Sequence, residues 1–185
     1  MAGISNQFRD NLLAAIPSLR AFGMSLTSRS DRADDLVQET MIKAWSHHQS
    51  FVEGTNMKAW LFTILRNEFY TQLRKRKREV EDADGAYSNS VSVQGNQQSH
   101  LELADLTLAL AKLPEDQREA VVLVGASGFS YEEAAKICGC AVGTVKSRVS
   151  RARERLTELL QLDVQAVDGV RLTTIDNTMT MERNP

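Results

Sequence analysis

Residues 130–157 constrain this chain more than any other stretch. Ser130-Tyr131-Glu132-Glu133 has the form of a capping box, a serine at the cap and a glutamate three residues on, so a helix begins there. Cys138-Gly139 ends it, because glycine takes the left-handed conformation that closes helices. A second helix follows from about Ala141 to Leu160, in which Val142, Val145, Val149, Ala152, Leu156 and Leu159 recur at steps of three and four. Such a stripe must face a core. The opposite face carries Gly143, Ser147, Ser150, Arg151 and Glu154, flanked by Thr144, Lys146, Arg148 and Arg155. Capped helix, glycine-centred turn and basic helix together form a helix-turn-helix. Its second helix fits the major groove, where the N-terminal half reaches base edges. Lys146, Ser147, Ser150 and Arg151 are the expected readers, with Arg148, Arg153 and Arg155 on phosphates.

The charge pattern points the same way. The net charge is only −2, but Lys58–Arg78 holds seven basic residues against Glu68, and Cys140–Arg155 holds five against Glu154. Between them, Glu79–Ala111 has six acids and no Lys or Arg. Two basic blocks separated by an acidic stretch suit two sites on a polyanion. Charge alone is equally compatible with two solvated helix faces.

The rest of the chain reads as all-α, in two small helical domains joined by a flexible linker. Residues 8–28 form a helix broken or kinked at Pro17, and Ser30-Asp31 offers a cap for a second, ending near Trp45. A loop spans 47–56, and a third helix runs from about Met57 to Arg78. The first domain is therefore 1–79. Residues 80–100 lack sustained periodicity and read as an acidic, mobile linker. The second domain, 101–160, has four short helices: one over 101–112, one opened by Pro114 with Glu115 and Asp116 in its first turn, and the two of the helix-turn-helix. The tail, 161–185, shows no clear pattern and is expected to fray. No apolar run reaches the roughly 18 residues of a membrane span. No continuous apolar signal core opens the chain, so a cytoplasmic protein is expected. Cys138 and Cys140 are too close to staple a fold and too few for zinc alone, so no metal or cofactor is expected.

Two faces of the first domain stand out. Asp35, Gln38, Glu39 and Ile42 share one helix face, with Val37, Thr40, Met41 and Ala44 opposite. An isoleucine within an exposed polar and acidic stripe suits a protein partner, though single exposed apolar residues are common. On the third helix, Thr63, Asn67, Tyr70 and Arg74 form a polar stripe that runs into Lys75, Arg76, Lys77 and Arg78. Aromatic and amide groups beside cations suit single-stranded or melted nucleic acid. A basic helix end satisfying its own dipole accounts for one or two of these cations.

Taken together, the two halves resemble an extracytoplasmic-function (group IV) sigma factor. Asp34-Asp35-Leu36-Val37-Gln38-Glu39-Thr40-Met41-Ile42-Lys43-Ala44-Trp45 is similar to region 2.2 of that family. The resemblance implies that Asp35, Gln38, Glu39 and Ile42 dock on the β′ coiled coil of core RNA polymerase. Met57–Arg78, with Ala59-Trp60-Leu61 and Asn67, resembles regions 2.3–2.4, which melt and read the −10 element. It implies a −10 set of Thr55, Asn56, Trp60, Thr63, Asn67, Tyr70, Arg74 and Arg76, beside a base-capturing loop at 51–56. Leu113-Pro114-Glu115 and Phe129–Arg148 resemble region 4, which reads the −35 element and meets the β flap. It implies a −35 set of Thr144, Lys146, Ser147, Arg148, Ser150, Arg151 and Arg155. Val124–Phe129 and Val149–Arg153 look like the EcfG-like general stress branch. That branch is held by the anti-sigma factor NepR and released when the response regulator PhyR takes NepR up. The resemblance implies no catalysis.

Three other readings compete with this one. A sigma-like decoy has no need of intact basic readers. A conventional helix-turn-helix regulator has no need of the acidic face or of a second basic block. An enzyme finds no support, since His47, His48 and His100 sit in loop or linker sequence without partnering carboxylates.

Overall fold

The computed structural model describes residues 5–81 and 98–172, with side chains at 5–78 and 105–160. Among these residues the chain is helical, without strands. The interior of the expected linker, 82–97, and residues 173–185 lie outside the described residues.

Helix α1 (Asn6–Ala14) is capped by the Ser5 hydroxyl, which accepts from Phe8 N–H. Helix α2 (Ile16–Thr27) restarts immediately, so the break falls at Ala15 and Pro17 occupies the first turn, where a missing N–H costs nothing. Helix α3 (Ser30–Ser46) is preceded by Arg29 as its cap residue. This corrects the expectation for Ser30, whose hydroxyl instead accepts from Arg20 at 2.9 Å. Gly23 lets α2 and α3 approach closely, since a Cβ there would lie 3.4 Å from that of Ala33.

Helix α4 (Met57–Glu81) extends past Arg78, and helix α5 (Gln98–Ala111) begins earlier than expected. Both ends of the proposed 80–100 linker are therefore helical. Helix α6 (Glu115–Val121) runs into a π-helical turn at Val122–Ala126. In helix α7 (Tyr131–Cys138) the capping box forms in full, and Gly139 ends the helix at φ 65°. Helix α8 (Val142–Leu172) outruns the expected end near 160, so the first part of the presumed tail continues the helix.

The two halves share one core. Phe62 of α4 is fully buried, stacked on Phe22 of α2 at 4.8 Å and edge-on to Phe129, ahead of α7, at 5.0 Å. Val145, Val149 and Ala152 of α8 are buried, as their spacing demands. The second half thus packs α6, α7 and α8 together and lays α7 along α4 and α6 along α2.

Candidate nucleic-acid and polymerase interfaces

The face on α3 is open. Leu36, Val37, Thr40 and Ala44 are buried, which turns Asp35, Gln38, Glu39 and Ile42 outward. Ile42 is 52% exposed and Trp45, three residues on, 46%. An apolar pair beside an acidic stripe leaves uncovered apolar surface that a partner can bury. Lys43 is ion-paired with Glu68 of α4, which fixes α3 against the helix behind it.

The outer face of α8 is also open. Lys146, Ser147, Ser150, Arg151 and Arg155 are exposed. Lys146 Nζ lies 5.8 Å from the centre of the Tyr131 ring, which holds the cation at the turn. Ser150 Oγ donates to Glu154 at 3.1 Å, and Arg155 pairs with Glu158 at 2.7 Å. Thr144 is half-buried. Arg148 differs from its neighbours. Its Nε lies 3.0 Å from an Asp116 carboxylate oxygen and its Nη1 3.8 Å from Cys140 Sγ, so it ties α8 to α6. Cys138 is buried, and burial pushes its thiol up to about 12, the chemistry of an inert core residue.

The N-terminal part of α4 is tied to the second half, while Arg74, Lys75, Lys77 and Arg78 at its basic end are exposed. Asn56 Nδ2 donates to the Glu133 carboxylate at 2.8 Å, 77 residues away, while its Oδ1 accepts from Ala59 N–H. Lys58 Nζ donates to the Ser127 carbonyl at 2.7 Å. Arg66 Nε donates to Glu119 Oε1 at 2.5 Å, and Tyr70 Oη donates to Oε2 of the same carboxylate at 3.3 Å. Burial and the Glu119 charge push the Tyr70 phenol above its usual range. Trp60 packs against Phe51 at 5.3 Å and Phe8 at 6.3 Å, forming an aromatic floor under the 51–56 loop. Thr55, Asn67 and Arg74 are exposed, whereas Thr63 and Arg76 are half-buried.

Arg66, Glu119, Lys58 and Phe129 therefore join the halves, a role that local sequence pattern does not reveal. One signal existed for Glu119. It stands at the head of the apolar run Ala120–Val124, four residues before Leu123 and so on the same face, bound for the core.

Comparison with known proteins accords with this geometry. The families described as Sigma-70 region 2 and Sigma-70, region 4 match residues 13–79 and 103–156. The ECF RNA polymerase sigma factor EcfG of Rhodopseudomonas palustris (strain TIE-1) is 60% identical over 160 residues, 86% of this chain and 88% of that protein. The sigma factor RpoE of Bartonella quintana, solved in complex with the anti-sigma factor NepR, is 59% identical with a TM-score of 0.80, over 86% of this chain and 99% of that one. The PhyRSL–NepR complex from Sphingomonas sp. Fr1 shares the fold alone, at 19% identity and a TM-score of 0.61, over 80% and 86% of the two chains. Two promoter-type domains in this order, and close identity along nearly the whole chain, establish that it belongs to the extracytoplasmic-function RNA polymerase sigma factors, initiation subunits that direct core polymerase to promoters and catalyse no reaction themselves.

Proposed function

We propose that this chain directs core RNA polymerase to promoters of general stress genes, and that a NepR-like anti-sigma factor, itself taken up by a PhyR-like regulator, holds it in check in the cytoplasm. The domains are 1–79 and 101–160. Asp35, Gln38, Glu39 and Ile42 meet the β′ coiled coil, and the second domain meets the β flap. Thr55, Asn56, Trp60, Thr63, Asn67, Tyr70, Arg74 and Arg76 engage the −10 element. Thr144, Lys146, Ser147, Arg148, Ser150, Arg151 and Arg155 engage the −35 element. Arg148 would serve as a phosphate contact from its place on Asp116.

One observation carries this reading. The polymerase face and the −35 face are open, while Asn56, Arg66 and Tyr70 of the −10 side are bonded to Glu133 and Glu119 of the other half. A chain so arranged cannot read both elements at promoter spacing until its halves part. Such a state is what an anti-sigma factor would hold, and the likeness to a sigma factor solved with NepR supports that partner.

Run-off transcription tests it directly. Purified chain plus core polymerase should yield transcript from a stress-type promoter, and a NepR-like protein should suppress it. Absence of transcript with active core polymerase would instead favour the decoy, or a regulator that acts without core polymerase.

A further inference from the structure

A cavity of about 340 Å³ opens where α2, α3, α4 and α6 meet, and four arginines line it: Arg29, Arg32, Arg76 and Arg118. Glu115 is the one carboxylate on its wall among the described residues. Arg118 is the informative member. It is 7% exposed, yet its Nε is buried without a hydrogen-bond partner among the described residues. A buried guanidinium N–H left without a partner is costly, so the site favours an acceptor there. Burial pulls Arg118 below its ordinary value, with the Glu115 charge working the other way. Arginine nevertheless remains charged. Glu115 is exposed and makes no ion pair with it among the described residues.

Arg76 also keeps donors to spare, since a guanidinium carries five N–H groups and its Nη2 donates to Gln72 at 3.2 Å. Leu26 and Leu73 contribute apolar wall, which lowers the local dielectric and strengthens any charge pairing inside.

We propose that this cavity binds the phosphate group of a small anionic ligand, held by buried Arg118 and the more accessible Arg32 and Arg76. Guanidinium and phosphate pair bidentately, and the volume suits a small molecule. Arg32 and Arg76 belong to the first half and Arg118 to the second. A bound phosphate therefore bridges the halves and stabilises their packed arrangement by mass action.

The test uses the full chain and inorganic pyrophosphate, at ionic strength balanced with KCl, by isothermal calorimetry and thermal unfolding. Saturable binding at one site and a raised Tm are expected. Arg118→Gln should weaken binding tenfold or more. Because Arg118 is buried, Arg32→Gln provides a second variant that leaves the core intact, with a loss of several-fold. Arg151→Ala on α8 should bind as the parent does. No saturable binding beyond the KCl control would overturn the proposal. So would parental affinity in Arg32→Gln, or an equal loss in Arg151→Ala, which would place the anion on α8. Neither polymerase nor promoter enters the experiment, so its outcome is independent of the promoter-reading role.

Discussion

Arg66 of α4 and Glu119 of α6, 53 residues apart, form an ion pair in which the carboxylate is fully buried and the guanidinium 19% exposed. Burial pushes the Glu119 carboxyl above its usual value, against the pull of Arg66. Removing Arg66 leaves that carboxylate without its cation. Arg66→Ala should lower stability by about 3 kcal/mol, read by chemical denaturation. The pair Arg66→Met with Glu119→Leu should recover much of the loss, because apolar replacement of both partners is close to neutral. A double variant no more stable than Arg66→Ala would deny the pair its place in the interface.

The α3 face should separate polymerase capture from DNA reading. Gln38→Ala with Glu39→Ala removes two exposed side chains and no core contact. Affinity for core polymerase should fall about tenfold, with little change in melting temperature. Unchanged affinity in a direct binding assay would take this face out of the interface.

On α8, Arg151 and Arg148 should behave differently. Arg151 is exposed, so Arg151→Ala should weaken promoter-specific transcription by about 1–3 kcal/mol in discrimination and leave polymerase binding alone. Arg148 holds Asp116, so Arg148→Ala should also loosen α8 from α6 and lower the melting temperature. Run-off assays on promoters altered at the −35 element, set beside thermal unfolding, distinguish the two. Loss of polymerase binding in Arg151→Ala would refute its assignment.

Glu133 supplies a dependence on pH. The Ser130 backbone N–H, together with the Asn56 amide, holds its carboxyl below the usual value of 4.5. A lowered folded-state value means that the folded chain resists protonation. This contribution is therefore present above the ordinary carboxylate range and is lost as pH falls through the lowered value. Asn56→Ala should move the Glu133 titration part of the way back up, as followed by NMR of the side-chain carboxyl. An unmoved titration would show that the Asn56 contact is absent in solution.

Features set by chemistry within one turn are legible in the sequence. Ser130 and Glu133 specify a helix start within four residues, and Gly139 specifies its end, because both depend on chemistry confined to one turn. The Val145–Val149–Ala152 stripe and the outward turn of Asp35–Ile42 follow from helical period alone. Where two local rules competed, the result shifted. Pro17 marked a break, but the break sits at Ala15, since proline is well accommodated in a first turn. The pairings across the halves carried almost no sequence signal. Tyr70 and Arg66 meet Glu119 only because the packing of the two halves brings α6 within side-chain reach of α4, and no periodicity within either helix encodes that.

The edge-on contact of Phe62 with Phe129 has a consequence for how activity would be measured. When a molecule exchanges between a packed and an open form, the affinity observed at any face that needs the open form is scaled by the open fraction. Burial of one such ring is worth about 1.5–3 kcal/mol, which corresponds to roughly a tenfold to hundredfold change in that fraction. A lesion in this aromatic seam would thus strengthen or weaken output from every promoter by a common factor. A lesion on the outer face of α8 would instead reorder promoters against one another. Gain and selectivity are thereby held in different parts of one small chain.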